Sequence, residues 1–242
     1  MEYQEFCNLF TYFSSLNNLT PPNCEQMQRF FSLTNHLLSV NQVTNLTAIR
    51  DVEGVITKHY IDSLFASEFI LQGTRVLDIG CGPGFPTLPL AIMRPDLQIV
   101  SLDSTQKKID FVASSAKLLD LNNVTAISAR AEDHEVIKKL GSFDVVTSRA
   151  VARLNVLCEL ALPYTKINGT LLALKAAKTE EELSEARNAI KTLGGGPTNV
   201  HTRNLRLSKF EAEDRTLIEI PKLAKTPAPY PRPFAAIKKK PL

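Results

Sequence analysis

A chain of 242 residues can bury one substantial core, and 44% hydrophobic against 22% charged residues is the balance of an ordinary globular protein. The formal net charge of +3 is too small to mark nucleic-acid binding by itself, so the distribution of charge has to carry that question. Cys7, Cys24, Cys81 and Cys158 lie far apart without CxxC spacing, which argues against a disulfide framework or a zinc site and for the reduced thiols of a cytoplasmic protein.

The first residues, MEYQEFCNLF, carry acids and no basic region ahead of an apolar stretch, so no signal peptide is expected, and no apolar run is long enough to span a bilayer. Phe6, Leu9, Phe10, Phe13 and Leu16 recur at helical spacing, as do Met27, Phe30, Phe31, Leu37 and Leu38 after the break at Thr20-Pro21-Pro22. A third helix is expected from Asp51, its N-cap, to about Ile70, with Val52, Val55, Ile56 and Tyr60 on one face. Helices this apolar need a surface to cover.

From Arg75 the pattern becomes strands alternating with helices. Strands are predicted at 75–79, 99–103, 124–127, 143–147 and 169–175, with helices from about Thr87, over 105–119, and from Thr179 to Leu193. Thr179 is placed to cap that last helix, Glu180, Glu181 and Glu182 suit its positive end, and Gly194 ends it. This alternation predicts an α/β, Rossmann-like fold: a mostly parallel sheet with helices on both faces, behind a helical N-terminal extension. A strand at 216–220 with no helix after it should close the sheet as an antiparallel edge or hairpin. The expected organisation is an extension over 1–72, a core over 73–221 and a tail over 222–242. The tail is proline-rich and basic, with Lys222, Lys225, Arg232, Lys238, Lys239 and Lys240 and no acid. It reads as an interaction segment or a solvated terminus, and composition favours the latter.

The strongest local signal is Leu77-Asp78-Ile79-Gly80-Cys81-Gly82-Pro83-Gly84-Phe85. Glycines at 80, 82 and 84 after a strand allow a tight turn whose backbone approaches a ligand, and a helix N-terminus behind it offers free N–H groups. A dinucleotide fingerprint, G-x-G-x-x-G, needs glycine where Phe85 stands. The observed G-x-G-x-G, with Asp78 before it, is the form used for S-adenosylmethionine. Asp103 ends the next strand about 20 residues on, where an acid binds ribose hydroxyls, although it could also cap the following helix. Arg130-Ala131-Glu132-Asp133 follows the third strand, where a small residue and an acid can flank an adenine. Arg149 ends the fourth strand and should face the site. No Asn/Asp-Pro-Pro-aromatic motif and no Pro-Cys pair occur, which disfavours exocyclic-amine and cytosine C5 chemistry; Cys81 reads as a packing residue. His59 and Asp62, one turn apart, read as packing groups that dock their helix on the glycine turn. The four histidines lack ligand spacing, so no metal is expected.

From about Asn41 onward the chain resembles the bacterial family of small-subunit rRNA guanine-N7 methyltransferases, also called glucose-inhibited division protein B. The resemblance is carried by Asn45–Ile49, Lys58–Leu64, the 77–90 block, Ser148-Arg149-Ala150, Ala173-Leu174-Lys175, Tyr230-Pro231-Arg232-Pro233 and Lys238–Leu242. Two positions depart from the family pattern, Ala176 and Phe234-Ala235-Ala236, where family members usually carry glycine. The resemblance implies methyl transfer from S-adenosylmethionine to N7 of one guanine of 16S rRNA near the decoding region. By position it implies cofactor contacts at Gly80, Phe85, Ala131, Glu132 and Arg149, added to Asp78, Gly82, Gly84 and Asp103 from the residues themselves.

N7 carries an in-plane lone pair, so no general base is expected. Arg130, Arg149 and Lys175 are the candidates for positioning phosphate or the base edge, with the tail adding contacts to the RNA backbone. The expected partner is 16S rRNA, as the 30S subunit or an assembly intermediate. A small-molecule methyltransferase would need no basic tail, and a non-catalytic ribosome-binding factor would have no reason to keep the glycine turn and Asp103.

Overall fold

The computed structural model describes residues 1–176 and 180–242 together with the backbone of Thr179, so the cap expected from the Thr179 side chain lies outside the described residues. Seven strands form one sheet: β1 (Arg75–Ile79), β2 (Gln98–Asp103), β3 (Val124–Ser128), β4 (Phe143–Arg149), β5 (Thr165–Ala176), β6 (Asn199–Arg206) and β7 (Ala212–Pro221). Their spatial order is β3-β2-β1-β4-β5-β7-β6. The first five strands are parallel, and β7 runs antiparallel between β5 and β6. The expected strand at 216–220 is thus one arm of a hairpin inside the sheet. Its partner β6 forms the edge and escaped prediction because Asn199, His201 and Arg203 interrupt any apolar alternation.

Strand β5 shows why the sheet is covered on both sides. Leu172 and Leu174 pack into one apolar cluster, whereas Leu171 and Ala173 pack into the other. A strand buried on both faces reads as a continuous apolar run. The first face carries α1 (Tyr3–Leu16), α2 (Cys24–Thr44), α3 (residues 52–64), α4 (Thr87–Met93) and α5 (Gln106–Leu118); the second carries α6 (His134–Leu140), α7 (Leu154–Ala161) and α8 (Thr179–Thr192).

Helix α2 begins in a reciprocal cap: Asn23 Oδ1 accepts from the Gln26 N–H and Gln26 Oε1 accepts from the Asn23 N–H, both at 2.9 Å. Asp51 caps α3 as expected, accepting from the Gly54 N–H at 2.7 Å. This helix stops at Leu64 rather than Ile70, and its middle, Val55–Ile61, is wound as a π-helix. Aromatic rings link the N-terminal helices to the glycine turn: Phe10 and Phe30 flank Tyr60, and Tyr60 lies 6.0 Å from Phe85. Phe30 is fully buried, and truncating such a side chain costs about 3–5 kcal/mol.

The tail is not a solvated terminus. Lys222 is 2% exposed and donates to the carbonyls of Leu162 (2.8 Å) and Leu193 (2.6 Å). Arg232 forks onto Glu159 at 2.8 and 2.6 Å, and α9 (Phe234–Lys239) buries Ile237. Composition missed this because these anchors are single residues among exposed ones.

Candidate functional site

Strand order reverses between β1 and β4, the place where open α/β sheets leave a crevice at the carboxyl ends of the strands. The glycine turn sits there. Gly80 has φ +66° and donates its N–H to the Leu102 carbonyl at 2.7 Å, tying the turn to β2. Gly82 has φ +56°, and a Cβ there would meet nothing within 4 Å, so its face opens outward. A side chain would be strained at that φ and would project into the space beside the turn.

Asp103 serves the turn as well as its own strand end. Its Oδ2 accepts from the Gly82 N–H at 3.0 Å, and its Oδ1 accepts from the Thr105 N–H at 2.8 Å. Asp78 lies beneath: Oδ2 accepts from the N–H and hydroxyl of Thr87 at 3.2 and 2.7 Å, holding the start of α4, while Oδ1 is buried with no partner. Burial pushes the Asp78 carboxyl up to about 7, against the pull of those Thr87 hydrogen bonds. An unsatisfied buried carboxylate oxygen under an open glycine turn fits a cofactor that brings its own N–H donors.

A second constellation lies across the switch point. Arg149, at the end of β4, donates to the Lys58 carbonyl at 2.8 Å and to Asp62 Oδ2 at 2.9 Å. It also faces His59 Nδ1 at 3.2 Å. The other Asp62 oxygen accepts from Arg215 of β7 at 3.0 Å, so one carboxylate joins two guanidinium groups. His59 stacks on Phe85 with centroids 4.2 Å apart and contacts Thr47 Oγ1 at 2.9 Å. Asn41 braces the Thr47 segment, accepting from the N–H groups of Leu46 and Thr47. With Arg149 as donor, Nδ1 of His59 is an acceptor, which leaves the proton on Nε2 for Thr47. Burial, helped by the Arg149 charge, drives His59 down to about 3, so the ring is neutral.

Lys58, His59, Asp62, Arg149 and Arg215 wall a cavity of about 560 Å³ over the ends of β4, β5 and β7. Phe65, Phe69, Leu174 and Leu217 supply apolar surface, and Arg149 and Lys175 supply charge. Lys175 donates to Glu182 at 2.7 Å and to the Ala152 carbonyl, which pins the segment after β4. In that segment Ala150 has φ +57°, and Val151 lies against Gly80, where its methyl would collide with an added Cβ.

Asp78, Gly80, Gly82, Gly84 and Asp103 thus meet at the ends of β1 and β2, while Arg149 lines the cavity across the switch point. Ala131 and Glu132 sit at the neighbouring β3 end, where the Ala131 carbonyl accepts from Tyr164 and Glu132 lies 3.5 Å from Arg130. Phe85 turns its ring inward, at 2% exposure, against His59 and Tyr60. Arg130 stands at the rim, with its side chain 66% exposed. Cys81 is buried, as a packing residue should be. Sequence reasoning missed Arg203, Arg215 and Glu182 in the cavity wall. No local signal marks them: Arg215 follows Glu213 and Asp214 at the polar end of its strand. Among the described residues no cluster of His, Cys, Asp or Glu could hold a metal ion.

A model of the family described as rRNA small subunit methyltransferase G matches residues 23–209. The chain is 40% identical to the ribosomal RNA small subunit methyltransferase G of Bacillus subtilis, over 93% of each chain. It is 39% identical to the Lactococcus lactis protein of the same name, over the whole of both. Among solved structures it resembles an O-methyltransferase from Bacillus cereus in complex with SAH, at TM-score 0.57 and 18% identity, covering 91% of this chain and 100% of that one. It also resembles TYW2 of M. jannaschii in complex with AdoMet, at TM-score 0.53 and 18% identity, covering 68% and 76%. Those two likenesses concern the fold.

Proposed function

The chain belongs to the rRNA small subunit methyltransferase G family and transfers methyl from S-adenosylmethionine to N7 of a guanine in 16S rRNA; we propose that the two constellations divide this work. The glycine-turn side holds the cofactor, and the cavity beyond Arg149 takes the flipped-out guanine. The observation that carries this division is an apolar-walled, arginine-lined cavity of about 560 Å³ adjoining the turn at the switch point, within the usual size of small-ligand pockets.

On this reading Gly80, Gly82, Gly84 and the Phe85 backbone border the cofactor. Asp78 Oδ1 accepts from its amino group, Asp103 from its ribose, and Ala131 and Glu132 flank its base. Bound there, S-adenosylmethionine supplies an electrophilic methyl group. The protein's part is placement. N7 is unprotonated at neutral pH, so no side chain has to remove a proton, and positioning can supply about 7–11 kcal/mol in favourable cases. Phe65, Phe69 and Leu217 offer apolar surface to the purine, and Arg149 offers donors to its edge. Methylation leaves the purine cationic, and the surplus of arginine and lysine around the cavity favours release of that product. Lys175 holds the 150–153 segment that separates the two halves, and Arg130 and the tail meet phosphates. The Arg149 cluster also restrains α3, so its arginines are oriented before RNA arrives.

The full substrate is the 30S subunit or an assembly intermediate, and the site of action is the cytoplasm. Among the described residues no helix is long and apolar enough to cross a membrane. The decisive experiment offers labelled S-adenosylmethionine with 30S subunits lacking their own modification, naked 16S rRNA and assembly intermediates, and maps N7-methylguanine by strand cleavage. Label at one guanine is expected. Tight cofactor binding without transfer to any RNA form would instead favour a small-molecule methyltransferase, and no cofactor binding a non-catalytic ribosome factor.

A further inference from the structure

The β6–β7 hairpin does not stop at the rim of the sheet. Ala176, the last residue of β5, pairs with Arg215, whereas Asn204, Leu205 and Arg206 pair with Asp214, Glu213 and Ala212 beyond it. Three pairs at about 3.4 Å per residue lift the turn roughly 10 Å above the rim. The turn is ordered by its own hydrogen bonds. The Glu211 carbonyl accepts from the N–H groups of Leu207 and Ser208 at 2.9 and 3.2 Å. Ser208 Oγ accepts from those of Phe210 and Glu211 at 3.1 and 3.0 Å.

At the tip, Phe210 is 99% exposed. Its ring buries nothing and so adds nothing to folding, while its backbone is fixed in place. Arg206 and Lys209 precede it in the chain and Glu211 follows it, all three exposed. The base of the same hairpin lines the cavity through Arg203, Arg215 and Leu217. An aromatic ring on an ordered stalk beside the cavity, with two cations in the same hairpin ahead of it, has the makings of a single-strand contact: bases stack on the ring and phosphates meet the cations.

We propose that Phe210 is a stacking post that holds an unpaired base of the substrate rRNA neighbouring the target guanine, with Lys209 and Arg206 against the adjoining phosphates. This rests on the rRNA methyltransferase reading above. Phe210 lies just past the residues that the family model matches.

The test is steady-state methylation of unmodified 30S subunits by wild type, Phe210→Ala, Phe210→Leu and Phe210→Trp, with cofactor affinity and thermal melting measured in parallel. Loss of one stacked base should raise KM for the subunit roughly 5- to 150-fold in the Ala and Leu variants. The Trp variant should stay within about twofold of wild type, with cofactor affinity and melting temperature unchanged in all three. A KM for Phe210→Ala equal to wild type, or rescue by Leu as complete as by Trp, would overturn the proposal. Failure of the wild type to label the subunit would instead bring down the functional reading on which it stands.

Discussion

The two sides of the switch point are built from different materials. On the β1–β2 side the site is made of backbone: glycine turns, N–H groups and the carboxylates of Asp78 and Asp103 that hold them. On the β4–β5–β7 side it is made of long side chains cross-braced by charge, Asp62 between Arg149 and Arg215, and Lys175 against Glu182. A site of backbone needs particular residues at consecutive positions. A site of side chains can draw its members from anywhere in the chain, and Arg215 stands 153 residues from Asp62.

The sharpest way to test that division is to damage one side at a time. Gly82→Val forces a β-branched residue to φ +56° and fills the open face. It should weaken cofactor binding about 100-fold by titration calorimetry, with the fold retained by circular dichroism. Asp62→Ala leaves two guanidinium groups facing one another in a largely buried setting, at a cost of about 3 kcal/mol. Melting temperature should fall by roughly 6–12 °C for a chain of this size. RNA methylation should drop more than cofactor affinity; an equal fall in both would show that the two sides act as one unit.

Lys175→Ala should lower methylation about 10-fold, as loss of a charge-assisted contact does, and leave cofactor affinity within about twofold. Loss of cofactor binding would instead place Lys175 on the other side of the divide.

The smallest effect expected is in pH dependence. His59 stays neutral down to about 3, whereas an unfolded histidine takes up a proton near 6.5. Stability therefore falls as pH drops from 6.5 towards 3. Asp78 acts in the opposite sense: folded, it keeps a proton up to about 7 that the unfolded chain releases near 3.8, so its contribution falls as pH rises across that interval. Thermal melts from pH 4 to 7 should show a shallower acid-side loss for His59→Gln than for wild type. Equal slopes would mean the ring is not held neutral.

Legibility in the sequence follows the same divide. The turn at 80–84, the strands on either side of it and the G-x-G-x-G spacing were readable because the chemistry is local. The Asp51 cap of α3 and the short apolar strands were readable for the same reason. The π-helical winding at Val55–Ile61 was not, since it arises where α3 must offer both a free Lys58 carbonyl to Arg149 and the His59 ring to Phe85. Helix α7 and strand β6 were missed for opposite reasons. The first is only two turns long and its two polar residues, Asn155 and Glu159, are both buried, and the second is an edge too polar to show alternation. Neither Glu182 nor Arg215 carries a local signal of its role.

Glu159 is fully buried, and the cation that holds it, Arg232, comes 73 residues later in the chain. During synthesis every earlier element can be in place while this acid still sits unmatched beneath α7. A nascent chain cut before Arg232 would retain a naked carboxylate in its interior, a defect worth several kcal/mol. The pairing therefore makes the settling of α7 depend on the tail, and a chain ended before Arg232 should melt below the full chain.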